Sequence, residues 1–455
     1  MSWLERLFSS DSSKQPVQAG AALGTPGSHA QPLEAVTGIR LPPEGFGARQ
    51  PLVSASGSVA GFEFELPICS RIYQERVEAG AAAAAAEAEA VAVGARAIAL
   101  VKAMRLTLES GRAALATLPV SVLARPTVIE QMARETMIVL ADEDWDDPAK
   151  RHEHRLVIDR ARAHGVRIGL PAARAGAGVP FDFVVARGTD GINTVMVLAQ
   201  KCRLATPPIM LVATGLASID EVELALKAGA SLASGNIDAM GAEPAKRALQ
   251  PAVQRVCQVL RDLSTDADTS QIAQNLRADA AVSYRLLRYV NSSALGLRRS
   301  IDSIEQAVLL LGRKELYRWL SVLMLAIGDG RKASRALQEL SLARARLLEL
   351  LASDQGRNPP DALFTVGLLS LMDVMMQMPL ADALQPLRLG PAARQALLEG
   401  SGPWHEYLAM AIDLEQADLG PAARRAKMFG DLDHVLERAD QAWQWAATVQ
   451  TAGNS

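Results

Sequence analysis

From residue 50 to about 248 short β-rich runs alternate with longer helical ones. Residues 51–53 and 59–66 flank Ser-Ala-Ser-Gly, which predicts a β-hairpin. A long alanine-rich stretch from 81 to about 118 predicts a helix. Beyond it the strand candidates are 120–123, 136–140, 166–170, 183–186, 209–213 and 231–233. Helical stretches such as 149–164, 192–202 and 218–228 separate most of them. Such alternation places parallel strands next to crossover helices, so the pattern predicts an α/β barrel or a doubly wound sheet. Six to eight strands in about 200 residues favour the barrel.

After about residue 244 the strands stop and apolar residues recur at helical spacing as far as 450. Over 279–290, Val282, Leu286, Leu287 and Val290 share a face, with Arg285 and Arg288 opposite or flanking. Stretches 303–311 and 316–327 repeat the pattern, and Gly312, Gly328 and Pro359-Pro360 punctuate it. The second half is therefore expected to be all-α. Residues 1–47 are rich in Ser, Gly, Pro, Gln and Ala without a sustained period and are expected to form a flexible leader. Within it, Trp3, Leu4, Leu7 and Phe8 fall on one side of a helical turn that suits a membrane or a partner, against the plainer reading of a frayed terminus. The expected organisation is a leader over 1–47, an α/β barrel over 48–245 and a helical domain over 246–455.

Composition sets limits on function. The 455 residues are 49% hydrophobic and 21% charged, as in folded proteins, so a wholly disordered chain is excluded. The net charge of -3 gives no long-range attraction for nucleic acid or anionic lipid, and 4% aromatic residues leave few stacking platforms. Cys69, Cys202 and Cys257 form neither a disulfide framework nor a zinc knuckle, so a cytoplasmic location is expected. The alanine-rich run is broken by Glu87, Glu89 and Arg96, so no membrane span is expected.

Charge is uneven, however. Residues 281–335 carry ten basic and four acidic side chains, a local net of +6. Arg285, Arg288, Arg298, Arg299, Arg313, Lys314 and Arg318 form the candidate interaction surface, suited to a phosphate-bearing ligand or an acidic partner; solvated helix surface is the plainer alternative. Met372, Met375, Met376 and Met378 read as core.

Catalytic motifs are sparse. The chain contains no phosphate-binding P-loop and no nucleophile elbow. His152 and His154 lie two apart, so their imidazoles leave a helix on different sides; solvated histidines are expected. The acidic run 142–147 follows a strand, where a hard cation is one reading and a helix start before Pro148 the other.

Arg49-Gln50-Pro51-Leu52-Val53 and Val59-Ala60-Gly61-Phe62-Glu63 resemble the opening of EAL domains, the barrel-fold phosphodiesterases of cyclic di-GMP. Glu63 matches the motif glutamate, although Phe64 and Glu65 replace the alanine and leucine that follow. The family's Asp-Asp signature aligns with Gly169-Leu170-Pro171-Ala172-Ala173-Arg174, and its lysine and acid with Val185 and Arg187. Ala213-Thr214-Gly215-Leu216-Ala217 lacks both glutamates of the corresponding segment, and Ser234-Gly235 replaces its Gln-Gly pair. The resemblance implies a degenerate EAL-like barrel in which Glu63 is a remnant and the metal-ligand set is gone.

Residues 283–292 and 303–312 resemble the HDOD domain, a helical relative of the HD phosphohydrolases that lacks their metal ligands. Residues 363–379 resemble the later part of two-domain EAL-HDOD proteins. No His-Asp doublet occurs in the chain, and Asn291, Ser292 and Gly312 suit capping and turn roles. The resemblance implies a non-enzymatic bacterial signal-transduction protein acting through protein–protein contacts, without cofactor or metal. Signalling proteins are the expected partners, and a homo-oligomer is left open. The alternatives are a cyclic di-GMP receptor without turnover, using Arg174 and Arg187, and a residual phosphodiesterase.

Overall fold

A computed structural model describes residues 49–64, 82–141, 148–172, 180–241, 249–265, 267–291, 301–327, 333–356, 361–416 and 419–454. The leader, the acidic run 142–147, Cys69, Arg174, Ser292, Arg298 and Arg299 lie outside the described residues.

Eight strands close into a barrel in chain order: β1 (Arg49–Ser54), β2 (Val59–Phe64), β3 (Ala113–Leu118), β4 (Met137–Leu140), β5 (Arg167–Pro171), β6 (Phe183–Arg187), β7 (Met210–Leu216) and β8 (Leu232–Gly235). Strand β1 runs antiparallel to both neighbours and the other pairings are parallel. Side chains alternate across the wall, so every second residue points inward. Leu52, Leu115, Met137, Val139, Phe183, Val185, Val212 and Leu232 fill the interior as a packed core.

Crossover helices α1 (Ala82–Glu109), α2 (Pro148–Ala163), α3 (Ile192–Leu204) and α4 (Ile219–Ala228) follow β2, β4, β6 and β7. The Ser218 hydroxyl caps α4 by accepting from the Glu221 amide. Two expectations are corrected here. Residues 113–118 form a strand rather than the end of a long helix, and Val120–Leu123 is a helical turn rather than a strand. Helix α1 stops at Glu109, and Gly111 takes φ 78° before β3 begins. Pro119 then precedes the turn 120–123 and leaves its side chains Val120, Val122 and Leu123 buried. His154 also departs from expectation, because it faces the barrel and is buried while His152 is exposed.

Strands β1 and β2 are joined by a hairpin turn at Gly57, where φ is 79°, instead of by a crossover helix. The barrel's own helices therefore cover these two strands only in part, through α1 against β2. The carboxy-terminal half covers them. It comprises α5 (Pro251–Ser264), α6 (Thr269–Arg277), α7 (Ala280–Val290), α8 (Ile304–Ile327), α9 (Ser334–Asp354), α10 (Asp361–Leu369), α11 (His405–Glu415), α12 (Leu419–Ala426) and α13 (Leu432–Asn454), with shorter turns between α10 and α11. Gly312 divides α8 at φ 72°, ψ 169°, between the two predicted helical stretches. Met372, Met375 and Met378 are core residues.

Helix α9 is buried along nearly its whole length and packs on α10 and α13. Trp443 of α13 meets Phe62 of β2 edge-on at 4.9 Å between ring centroids. Burying such rings is worth roughly 1.5–3 kcal/mol each, which makes the side of the barrel a tertiary interface.

Candidate functional site

The parallel strands carry their carboxyl ends to one mouth of the barrel, the usual place for chemistry in this architecture. Register identifies the inward residues there. Glu63 pairs with the interior Leu115, Thr117 with Val139, Pro171 with Val185, and Arg187 with Thr214. Ser234 follows the interior Leu232 by two residues. Its hydroxyl donates to Oε2 of Glu63, which joins the remnant glutamate to the position where the EAL pattern has glutamine. The described inward positions, with Gln50 opposite Glu63 on β1, thus hold one carboxylate among hydroxyls, an amide, a proline and an arginine. Among the described residues, no three His, Cys, Asp or Glu side chains are grouped so as to hold a metal ion.

The basic residues singled out from the sequence do not form one surface. Arg285, Arg288 and Lys314 are exposed, as are Tyr284, Leu309 and Leu310. Arg313 is half-buried and donates to the Ala267 carbonyl. Arg318 is a correction, because it lies inside the helical half. Its guanidinium donates to Glu349 at 2.6 and 3.1 Å and stacks 3.7 Å from the Phe364 ring centre. Helical spacing carries it past the solvated side of α8 toward α9, whose Glu349 compensates the buried charge.

Asn291 ties two segments together. Its amide donates to the Leu287 and Ile301 carbonyls at 2.9 and 2.8 Å, and its Oδ1 accepts from the Ile301 amide at 2.7 Å. This closes the carboxyl end of α7 onto the approach to α8 and uses the side chain structurally.

The charged residues that bind the two halves were not singled out from the sequence. Arg49 donates to Asp440 of α13 at 2.8 Å and stands 4.6 Å from the Phe62 ring centre. Arg112 donates to Glu339 of α9 at 2.6 Å. Glu223 of α4 accepts from the Ala333 amide, and the Gly57 carbonyl accepts from the Ala336 amide, both at 3.0 Å. Arg344 of α9 donates to Glu415 at 3.0 Å, to Ser370 at 2.8 Å and toward Asp238 after β8 at 3.5 Å. Two signals were available, a β1–β2 hairpin without a crossover helix and a helix with charges on every side. Neither names the partners.

Burial pushes the carboxyls of Glu339, Glu415 and Asp440 above the usual carboxylate range, against the pull of their arginines. Burial also depresses Arg49. Glu349 goes the other way: burial raises it, but Arg318 and Arg346 together outweigh that and hold it below the usual value.

Residues 248–399 match the HDOD domain family model. The chain is 27% identical over 198 residues to the uncharacterized protein YuxH of Bacillus subtilis, covering 43% of this chain and 48% of that one. It is 26% identical over 207 residues to the cyclic di-GMP phosphodiesterase CdgJ of Vibrio cholerae, covering 45% and 48%. The matches thus span about half the length of these curated relatives. Among solved structures, an EAL domain protein of Listeria monocytogenes aligns with a TM-score of 0.30 and 12% identity, over 41% of this chain and 84% of that one. Klebsiella pneumoniae BlrP1, in a manganese and cyclic di-GMP complex, aligns with a TM-score of 0.30 and 18% identity, over 42% and 53%. No helix among the described residues is long and apolar enough to cross a membrane. A closed barrel with an antiparallel first strand, followed by helices of which residues 248–399 match the HDOD domain model, is the two-domain organisation that the sequence's resemblance to EAL-HDOD proteins implies.

Proposed function

We propose that the chain is a bacterial signalling protein without catalytic turnover, which passes information between its halves and on to partner proteins. The observation that carries this reading is the barrel mouth. Its described inward positions offer one carboxylate, Glu63, and that carboxylate accepts a hydrogen bond from Ser234. Holding two divalent ions for phosphodiester hydrolysis calls for several carboxylates on neighbouring strand ends.

The seam supplies a means of transmission. Each buried pair there is satisfied only while both halves keep their geometry, so a partner that favours one arrangement of the helical half shifts the barrel with it. Arg285, Arg288 and Lys314 offer the outward contact, to an acidic protein surface.

The test is an assay of the full chain on cyclic di-GMP with magnesium or manganese, paired with capture of bacterial partners. No linear product is expected. Capture of a specific partner that Arg285→Glu with Arg288→Glu abolishes is the positive result. Turnover that disappears in Glu63→Gln overturns the proposal.

A second reading, a cyclic dinucleotide receptor, is favoured by Arg187 at an inward position of the mouth, a charge suited to phosphate. The relative named as a cyclic di-GMP phosphodiesterase gives it further support. Calorimetry with cyclic di-GMP separates the readings. Binding lost in Arg187→Ala supports the receptor, and no heat at high micromolar ligand removes it.

A further inference from the structure

A second cavity lies away from the barrel mouth, on the flank where α13 covers the hairpin. It measures about 410 Å³, within the range of small-molecule sites. Phe62 and Leu106 on the barrel side and Trp443 and Ala447 on α13 supply its apolar walls. Arg49 and Arg112 supply positive charge and Asp440 a carboxylate.

The hydrogen-bond balance of this wall is uneven. Arg49, 9% exposed, gives one bond to Asp440 from Nη2, and its Nε–H, which has no acceptor, is buried away from the cavity surface. Arg112, a lining residue 18% exposed, spends Nη1 on Glu339 and has further N–H groups to give. The nearby hydroxyls add no donors, because Thr107 donates to the Ala103 carbonyl at 3.1 Å and Thr448 to the Trp445 carbonyl at 2.7 Å. The wall therefore asks for an acceptor. Two arginines and two carboxylates already balance, so one added negative charge is tolerated better than two.

We infer that this cavity binds a small amphipathic monocarboxylate, with the carboxylate accepting from Arg49 and Arg112 and the apolar body lying against Phe62, Leu106 and Trp443. Its walls come from both halves, so the occupied site ties the barrel more firmly to α13. This is distinct from the mouth and does not depend on the reading given to it.

The experiment is calorimetry of the full chain with octanoate as the probe, compared with 1-octanol and octylamine. Octanoate is expected to bind once per chain with Kd of about 1 mM or tighter, and each uncharged or cationic analogue at least about tenfold more weakly. Ala447→Trp, which fills the cavity from α13, is expected to weaken octanoate at least about tenfold. Thr448→Trp does the same from an exposed position should the first variant fail to fold, as judged by circular dichroism. Glu63→Gln is expected to leave octanoate binding unchanged. The inference is overturned by absence of heat with octanoate at about 5 mM, by equal binding of 1-octanol, or by unchanged affinity in a folded Trp variant.

Discussion

Arg112, at the start of β3, donates from Nη1 to Oε1 of Glu339 on α9 at 2.6 Å, and the glutamate is 1% exposed. The pair crosses from barrel to helical half, with the glutamate buried and the arginine 18% exposed. Removing the cation leaves a buried carboxylate without compensation, whereas removing both charges leaves an apolar contact. Arg112→Ala is thus expected to cost about 3–5 kcal/mol in urea denaturation. Arg112→Met with Glu339→Leu is expected to recover most of that loss; a double variant as unstable as the single one would show that the pair is not the source.

Acid titration of the seam has a defined sign. Burial raises Glu339 above the ordinary glutamate value of about 4.5, so the folded chain holds this proton to a higher pH than the unfolded chain does. Its contribution is greatest at and below that ordinary value and falls as pH rises through the raised folded value. Glu349 is held low by Arg318 and Arg346. Its contribution is present above the ordinary value and is lost as pH falls through the lowered folded value. As pH falls from neutral toward the ordinary glutamate value of about 4.5 the parent chain is expected to gain stability relative to Glu339→Gln, and in stronger acid to lose it relative to Glu349→Gln. Parallel stability curves for parent and Glu339→Gln would contradict the first expectation.

Trp443 closes the flank of β2. Trp443→Ala removes the edge-on contact with Phe62 and opens a space beside Arg49. A loss of about 3–5 kcal/mol is expected, together with separation of one unfolding transition into two as the halves uncouple. Calorimetric scans of the variant read both effects.

Gly312 has open space around its missing side chain, so packing does not explain why glycine stands there. Its backbone at φ 72°, ψ 169° does, because this region is almost closed to other residues. Gly312→Ala is expected to cost about 1–3 kcal/mol without any steric clash. An unchanged denaturation midpoint would mean that α8 straightens without penalty.

The sequence revealed the class of each half but not the way they meet. The hairpin, the crossover helices and the helical half follow from periodicity, since each has one face toward a core. Strand β3 was hidden because Ala-Ala-Leu-Ala-Thr-Leu is buried on both faces, loses the alternation of a half-exposed strand, and consists largely of good helix formers. Val120–Leu123 misled in the opposite direction, through its valines. At the mouth, Glu63 was legible from its motif, while its bond to Ser234 depends on barrel closure, which brings together positions 171 apart in the chain. Arg318 looked like part of a basic surface because local charge counting does not know that Glu349 faces it.

A barrel flank completed by a helix from the other half has a consequence for how such chains can be recombined. The hairpin face carrying Phe62 is apolar and is finished by α13, from the far end of the chain. Exchanging this barrel for a relative's would therefore succeed only if the last helix travelled with it. The first and last of the described elements are thus expected to be inherited as one unit, although the sequence places them far apart.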